Sequence, residues 1–171
     1  MNIDKKSKRV LSFLARFIFP TVITIALFLT AIFLIVIPTI EKNNIDRKQE
    51  MIRELTNSAW NTFAKLDHDV QEGVISREEA QQQAIAQIDN LRYGRELKDY
   101  FWIQDMQPRM IAHPYRPDLI GQDLSAFSDS DGKHLFVEMV KLVESNGDGY
   151  LEYKWQLRGD EKRILPKISY V

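Results

Sequence analysis

The segment YFWIQDMQPRMIAHP, residues 100–114, carries aromatic, cationic and imidazole side chains where a period-two pattern predicts two strands around a turn. In a strand, Tyr100, Trp102 and Gln104 share one face, and the residues between them share the other. The second face suits a hydrophobic core. The first face combines large apolar rings with polar donors that need partners when they are buried. That combination is typical of a binding surface rather than of a core strand.

Further donors and cations lie in or near this segment and on later predicted strands. They are Arg92, Tyr93, His113, Tyr115, Arg116, Tyr153, Trp155, Lys167 and Tyr170. Cations and donors on aromatic walls can form a pocket for a small carboxylate, because the carboxylate accepts charge-assisted hydrogen bonds and the rings pack on its apolar part. In the alternative interpretation, the aromatic residues are ordinary sheet residues and the cations are solvated.

No catalytic motif accompanies these residues. The sequence has no HExxH pattern, no Gly-rich loop between a strand and a helix, and no local signature of a Ser, His and Asp triad. Its three histidines, His68, His113 and His134, are far apart in unlike contexts. The chain has no cysteine, which excludes disulfides, zinc–thiolate sites and thiol nucleophiles. We therefore expect no catalysis, no cofactor and no metal ion.

The acidic loops DSDG and NGDG are predicted to be turns rather than calcium sites. A calcium loop of the EF-hand type requires glycine at position six and glutamate at position twelve. Counted from Asp129, these positions hold His134 and Val140. The first turn also makes Asp129 or Asp131 a candidate cap for a helix that begins near Ser130 or Asp131.

An uncharged run of 24 residues, 17–40, predicts a transmembrane helix. At about 1.5 Å per residue it would span roughly 36 Å, more than a bilayer core of about 30 Å. Five basic residues and one acidic residue precede the run, so the positive-inside rule places residues 1–16 in the cytoplasm and residues 41–171 outside. The alternative is a cleaved signal peptide, whose apolar region is usually about 7 to 15 residues and ends in a small-residue cleavage site.

The charge of the chain does not favour a nucleic-acid partner. The net charge is -1 over 171 residues, and residues 41–171 hold 18 basic against 23 acidic residues. This outer part is long enough to bury one hydrophobic core.

Helical patterns follow the apolar run. Apolar residues at helical spacing predict that a helix continues outward as far as Gly73. They are Ile45, Ile52, Leu55, Ala59, Phe63, Leu66 and Val70. Ser76 and Glu79 form a capping box that starts a second helix. The predicted buried face of that helix is Ala80, Ala84, Ile88 and Leu91.

Strand patterns dominate after Gly94. Residues 100–104 and 109–113 are predicted strands, residues 135–145 a short amphipathic helix, and YLEYKWQ and ILPKISYV two further strands. Strands joined by short turns indicate an antiparallel sheet with helices on one side. The predicted fold class is therefore α+β.

The chain resembles a known family along residues 40–171. The resemblance is carried by the elements LRYG, DYFWI, MxxHP, GxDLS, GxGY and PKxSYV, which occur in this order at fitting spacings. These elements are similar to those of the single Cache extracytoplasmic sensor domain. Such domains are found in bacterial chemoreceptors, sensor histidine kinases and cyclic-nucleotide-signalling proteins.

The resemblance implies a PAS-like fold, in which a long N-terminal helix packs on a curved antiparallel sheet. It implies a pocket for a small organic acid of the acetate, propionate, lactate, pyruvate or malate class. It also implies a place in the bacterial cytoplasmic (inner) membrane, with the sensor domain in the periplasm.

Eight residues match the family's signature positions and are the candidate ligand-binding residues. They are Arg92, Tyr93, Tyr100, Trp102, His113, Tyr115, Lys167 and Tyr170. Lys167 and Tyr170 are three positions apart, so a regular strand cannot point both side chains into one pocket. One of the two is expected to lie outside it unless a bulge intervenes.

The family pattern usually continues after SYV with a final strand, a second membrane helix and a cytoplasmic output module. Val171 is the last residue here, so the chain is interpreted as a fragment or a truncated reading frame. A sheet without its final strand would expose an unpaired edge.

Together these patterns predict a membrane-anchored sensor that binds a small carboxylate outside the cell and signals to a chemoreceptor, histidine kinase or cyclase module inside. Dimerisation along residues 45–70 is expected, because a helix that signals by moving needs a partner to move against. The alternative is an anchored structural or interaction module whose aromatic face is only core.

Overall fold

The computed structural model describes residues 5–157 and 160–171. Residues 1–4 of the predicted cytoplasmic tail lie outside the described residues. The chain divides into two compact units, Met1–Lys48 and Gln49–Val171.

The first unit is helical. Helix α1 covers Lys5–Ala31, a π-helical segment covers Ile32–Val36, and helix α2 begins at Ile37. The apolar side chains of run 17–40 are mostly exposed. All four threonines of this run donate their hydroxyls to the carbonyl oxygen four residues earlier, at 2.6 to 2.9 Å. Their polar groups are therefore satisfied within the helix, as an apolar surrounding requires.

One helical stretch in the described residues, Ser12–Gln71, is long and apolar enough to cross a membrane by length and composition.

Helix α2 (Ile37–Gln71) buries the predicted apolar stripe in the second unit. Ala59 and Leu66 are buried, and the other stripe residues from Ile52 onward are partly buried. Outside this stripe the helix is largely solvated, and even the large apolar Trp60 side chain is 69% exposed. The helix ends before Gly73, whose φ of +70° is in the left-handed region that glycine adopts without strain.

Helix α3 (Arg77–Asn90) starts where the capping box predicts. The Ser76 Oγ accepts a hydrogen bond from the Glu79 backbone N–H at 3.1 Å. Ala80 and Ile88 are buried as expected. The prediction for Leu91 is wrong: its side chain is 41% exposed, because the backbone leaves the helix at this residue for an extended conformation.

Six strands form three antiparallel pairs in the described residues. Strand β1 (Arg92–Tyr93) pairs with β2 (Asp99–Tyr100), and β3 (Ile103–Gln104) pairs with β4 (Met110–Ala112). Strand β5 (Tyr150–Leu157) pairs with β6 (Asp160–Tyr170). The α+β class with antiparallel strands is confirmed.

The predicted strand 100–104 is interrupted at its centre. Tyr100 ends β2, which pairs towards β1, and Ile103 begins β3, which pairs towards β4. The chain changes partner between them, so Phe101 and Trp102 belong to no ladder. The turn after β3 is held by the Asp105 carboxylate, which accepts from the backbone N–H groups of Gln107 and Arg109 at 2.9 Å each.

Helix α4 (Leu135–Asn146) starts later than the predicted Ser130 or Asp131. The Asp129 carboxylate does not cap it. It accepts from the backbone N–H groups of Asp131, Lys133 and Lys154 at 3.0, 2.9 and 2.8 Å. These bonds commit Asp129 to closing its own turn and fastening it to β5.

The main hydrophobic core lies where α4 and the loop before it pack on β5. Its buried members are Met110, Leu119, Leu124, Leu135, Phe136, Met139, Tyr153 and Trp155. The partly buried Trp102 packs against this cluster. The side chains predicted for a binding surface therefore lie beside the core, which holds them in place.

Candidate functional site

A small cavity lies beside the core, with about 180 Å³ of atom-free space including its opening. Its lining residues are Tyr100, Trp102, His113, Leu135, Phe136, Tyr153, Trp155 and Lys167. Four of the eight predicted site residues are among them.

Tyr100 and Trp102 reach the cavity from the segment where the chain passes from β2 to β3. Their rings meet edge to face with centroids 6.5 Å apart. Gln104, predicted on the same face, donates its Nε2 to the Phe136 carbonyl oxygen at 3.1 Å. This bond joins the strand segment to the first turn of α4, whose Leu135 and Phe136 form an apolar wall of the cavity.

Lys167 enters the cavity from β6, opposite Tyr153 in the strand register. Its Nζ lies 4.0 Å from the centroid of the Tyr100 ring, 5.3 Å from that of Trp102 and 6.0 Å from that of Trp155. Aromatic faces stabilise a cation at these distances. Burial nevertheless lowers the pKa of Lys167 to about 8, because the rings do not replace the lost hydration.

His113 follows β4 and is only 4% exposed. Its Nδ1 accepts hydrogen bonds from the backbone N–H groups of Tyr115 at 3.1 Å and Arg116 at 3.0 Å. An Nδ1 that accepts places the ring proton on Nε2. Burial, followed by the positive charges of Lys167 and Arg116, lowers the pKa of His113 to about 4. The imidazole is therefore neutral near pH 7, with Nε2–H as a donor.

Two tyrosine hydroxyls complete the polar lining. Burial raises the pKa of Tyr100 to about 12 and raises the pKa of Tyr153 as well. The Tyr153 hydroxyl is hydrogen-bonded to the Ser169 Oγ at 2.8 Å. Both phenols stay protonated near pH 7, so ammonium, imidazole N–H and hydroxyl groups line one cavity with no carboxylate among its lining residues.

Arg92 and Tyr115 lie behind Tyr100 rather than on the cavity wall. The Arg92 Nε donates to the Tyr115 hydroxyl at 2.7 Å, and its Nη1 donates to the Leu91 carbonyl oxygen at 2.7 Å. The Tyr115 ring in turn meets the Tyr100 ring edge to face, with centroids 5.0 Å apart. These two residues are thus placed to orient Tyr100.

Tyr93 and Tyr170 are not brought to the cavity. The Tyr93 ring packs on Phe101 with centroids 5.1 Å apart, and burial raises the pKa of its hydroxyl to about 12. The Tyr170 ring packs on Tyr150 at 4.9 Å. Of the residues three apart on β6, Lys167 lines the cavity and Tyr170 does not, as strand alternation requires.

Four lining residues were not among the eight predicted ones. Tyr153 and Trp155 belong to the wider set of aromatic residues that the sequence offered for a pocket, and they stand two positions apart on β5, on one face of the strand. Leu135 and Phe136 follow the pattern of an amphipathic helix and carry no signal that separates a cavity wall from ordinary core.

A larger, open hollow of about 1,200 Å³, open solvent included, lies between α2, α3 and the β3–β4 hairpin. Apolar side chains such as Phe63, Leu66, Ile103 and Ile111 form much of its lining. Its lining residues do not place a partly buried cation beside an imidazole N–H donor. The smaller cavity does, so it is the better candidate site. In the described residues, no three His, Cys, Asp or Glu side chains cluster closely enough to hold a metal ion.

Comparisons with known proteins agree with this architecture. The sequence profile of the family Single Cache domain 2 matches residues 44–171. The methyl-accepting chemotaxis protein McpP of Pseudomonas putida is 40% identical over 124 residues, which are 72% of this chain and 22% of that protein. This chain thus spans well under a third of the length of that relative.

Two solved structures share the fold. A Cache chemosensory domain, solved to explain carboxylic acid recognition, is 39% identical with a TM-score of 0.70, covering 76% of this chain and 86% of that one. A periplasmic sensor domain of a chemotaxis protein is 37% identical with a TM-score of 0.71, covering 74% and 86%. This chain therefore belongs to the single Cache domain 2 family, and residues 44–171 form a sensor domain of the kind found in chemotaxis receptors.

Proposed function

We propose that this chain is the membrane-anchored part of a sensor that binds a small carboxylate in the cavity between β2 and β6. The ligand is an organic acid of the acetate, propionate, lactate, pyruvate or malate class. The observation that carries the proposal is the Lys167 ammonium, which lies beside the neutral His113 and among aromatic rings. A carboxylate placed there would supply the missing negative charge.

The cavity offers donors to the anion and apolar surface to the rest of the ligand. The Lys167 Nζ and the His113 Nε2–H are donors, and charge-assisted hydrogen bonds to a carboxylate are the stronger kind. Trp102, Leu135 and Phe136 supply apolar contact for a short carbon chain.

Residues 17–40 serve in this proposal as the membrane anchor. Their exposed apolar surface and the internally bonded threonines support a lipid-facing helix. The basic residues before the run support a cytoplasmic N-terminus and a sensor domain in the periplasm.

A hydrogen bond offers a route from the cavity to α2. The Tyr150 hydroxyl donates to the Gln49 carbonyl oxygen at 2.8 Å, which joins the β5–β6 pair to α2. Lys167 lies on the same strand pair. A ligand that shifts β6 would thereby bias the position of α2, by no more than its differential affinity for two states, typically about 1 to 3 kcal/mol.

We further propose that two copies pair along α2. The exposed Trp60 and Met51 side chains support this, since a large indole 69% exposed on a helix otherwise rich in polar residues is unfavourable in water. The output module lies beyond this chain in the proposal, and a chemoreceptor module is favoured by the McpP relative.

Isothermal titration of the full chain in detergent micelles tests the binding proposal. Acetate, propionate, lactate, pyruvate and malate are titrated at pH 7, with butylamine as a cationic control of similar size. We expect at least one acid to bind and the amine not to bind. If a folded protein, judged by near-ultraviolet circular dichroism, binds none of the acids, the sensor proposal is overturned in favour of a structural module.

A further inference from the structure

The cavity cation has aromatic neighbours but no close carboxylate. Among the side chains that the structure describes, the salt bridges are Arg53–Glu54, Lys98–Glu96, Arg116–Asp118 and Lys141–Glu138, and none includes Lys167. Of its three ring contacts, that with Tyr100 is the shortest, 4.0 Å from Nζ to centroid. A cation removed from water without a counter-charge is held in its charged form only weakly.

The charged groups around Lys167 belong to several elements. Asp99 on β2 is the negative charge that acts on it, and this carboxylate is exposed. Arg116, in the turn after β4, is positive and donates to both oxygens of the Asp118 carboxylate, from Nε to Oδ1 at 2.9 Å and from Nη2 to Oδ2 at 2.7 Å. His113 is neutral, and the residues that β5 and α4 place on the lining, such as Trp155 and Phe136, carry no charge.

We propose that anion binding in this cavity and protonation of Lys167 are one linked event, so that the sensor reads proton concentration together with the concentration of the acid. This inference rests on the proposed carboxylate-binding function and specifies its regulation. No bond is formed or broken beyond the transfer of one proton from solvent to the lysine amine.

The direction of the linkage follows from the charges. In the free protein, burial lowers the pKa of Lys167 to about 8, so a growing fraction of the amine is neutral above that pH. A bound carboxylate favours the ammonium and raises this pKa again. Affinity is therefore nearly constant below pH 8. Above it, affinity falls by up to about tenfold per pH unit, until the pKa of the bound state is reached.

The other titratable groups at the cavity change charge outside this window. The pKa of His113 is lowered to about 4 by burial first, and the pKa of Tyr100 is raised to about 12 by burial. The pKa of Asp118 is lowered by its hydrogen bonds with Arg116. The pH range 7.5 to 9.5 is chosen around the Lys167 pKa of about 8. A change of binding affinity within that range is therefore assigned to Lys167.

The test titrates acetate and propionate into the full chain in detergent micelles across this pH range. At pH 9 each titration is repeated in two buffers with different ionisation enthalpies, which counts the protons taken up. We expect the Kd to rise about tenfold between pH 8.5 and 9.5, with uptake of a fraction of one proton per ligand. In Lys167→Arg, whose side chain stays charged, we expect a Kd that does not change with pH and no proton uptake.

A second measurement covers the case in which the larger arginine blocks the cavity. In protein labelled with 13C at the lysine ε-carbon, the Lys167 signal is identified by its absence from the Lys167→Arg spectrum. We expect acetate to raise the pKa of this signal. A Lys167 pKa that acetate does not move would overturn the linkage.

The failures of the two proposals are distinguishable. If neither acid nor any other member of the panel binds at pH 7, the proposed function fails and the linkage fails with it. If an acid binds at pH 7 with an affinity that persists to pH 9.5 without proton uptake, only the linkage is overturned.

Discussion

The Lys167 Nζ lies 4.0 Å above the ring of Tyr100, although 67 positions separate the two residues along the chain. The contact joins β6 to β2, and the cavity opens beside it. Each partner is placed by its own strand register.

Replacing the cation with an apolar side chain of similar length should weaken binding. For Lys167→Met we expect the affinity for the best-binding acid to fall about 10- to 100-fold, the loss typical of one charge-assisted hydrogen bond. The measurement is isothermal titration at pH 7. Lys162→Met, on an exposed side chain of the same strand, is the matched control. Equal losses in both variants would contradict the role of Lys167.

Removing the ring of Tyr100 should cost more than removing its hydroxyl. Tyr100→Phe keeps the aromatic face beside the ammonium, whereas Tyr100→Leu removes it together with roughly 0.5 to 2 kcal/mol of cation–π stabilisation. We expect Tyr100→Leu to bind the acid more weakly than Tyr100→Phe and to lower the Lys167 pKa further below about 8. Titration and lysine NMR report these two effects separately, and identical behaviour of the variants would argue against the ring.

A side chain at Gly94 would strain the backbone. Its φ is +71°, and an added Cβ would collide with the Asp99 carboxylate. Gly121 has a similar φ of +78° but open space around the same position. Both alanine variants bear the cost of a positive φ, and we expect Gly94→Ala to be destabilised more, because its ψ of −172° lies in a region that is essentially restricted to glycine. Thermal unfolding compares the two.

The same two glycine variants should also differ in their affinity for the ligand. Asp99 precedes Tyr100, so a displaced carboxylate at Gly94→Ala would disturb β2 and the cavity. We expect weaker acid binding in Gly94→Ala and unchanged binding in Gly121→Ala. Equal melting temperatures and equal affinities would mean that the turn between β1 and β2 relaxes without cost.

Asp129 should stabilise the loop before α4. Its carboxylate accepts three backbone hydrogen bonds, whereas the Asp131 side chain accepts none among the described contacts. We expect Asp129→Ala to lower the free energy of unfolding by about 1 to 3 kcal/mol and Asp131→Ala to lower it far less. Thermal unfolding at pH 7 is the measurement, and similar effects of the two changes would contradict the assignment.

The same carboxylate gives this stabilisation a defined pH dependence. Burial acts to raise the pKa of Asp129, but hydrogen bonds from Lys154, Lys133 and Asp131 outweigh it and lower the pKa. The stabilisation is therefore present above the unfolded-state pKa of about 3.9 and is lost as the pH falls through the folded-state value. Wild type and Asp129→Ala should then approach one another in stability at the acidic end of a pH series.

Much of the architecture follows from short-range signals. Ser76 with Glu79 places the start of α3, Gly73 follows the end of α2, and alternation identifies β5 and β6. The exceptions arise where contacts with residues distant in sequence determine the local structure. Leu91 continues the helical stripe in sequence but leaves the helix, and strand 100–104 divides because its two halves pair with different strands.

The sequence alone determined the apolar run 17–40, the α+β class and a set of aromatic and cationic residues, because spacing and composition are local properties. Only the tertiary structure decided that Lys167, His113, Tyr100 and Trp102 share one cavity, while Tyr93 and Tyr170 pack elsewhere. It also placed Leu135 and Phe136 of α4 on the wall of this cavity. Strand pairing and helix packing decide which residues meet across a cavity. Both depend on contacts between residues that lie far apart along the chain.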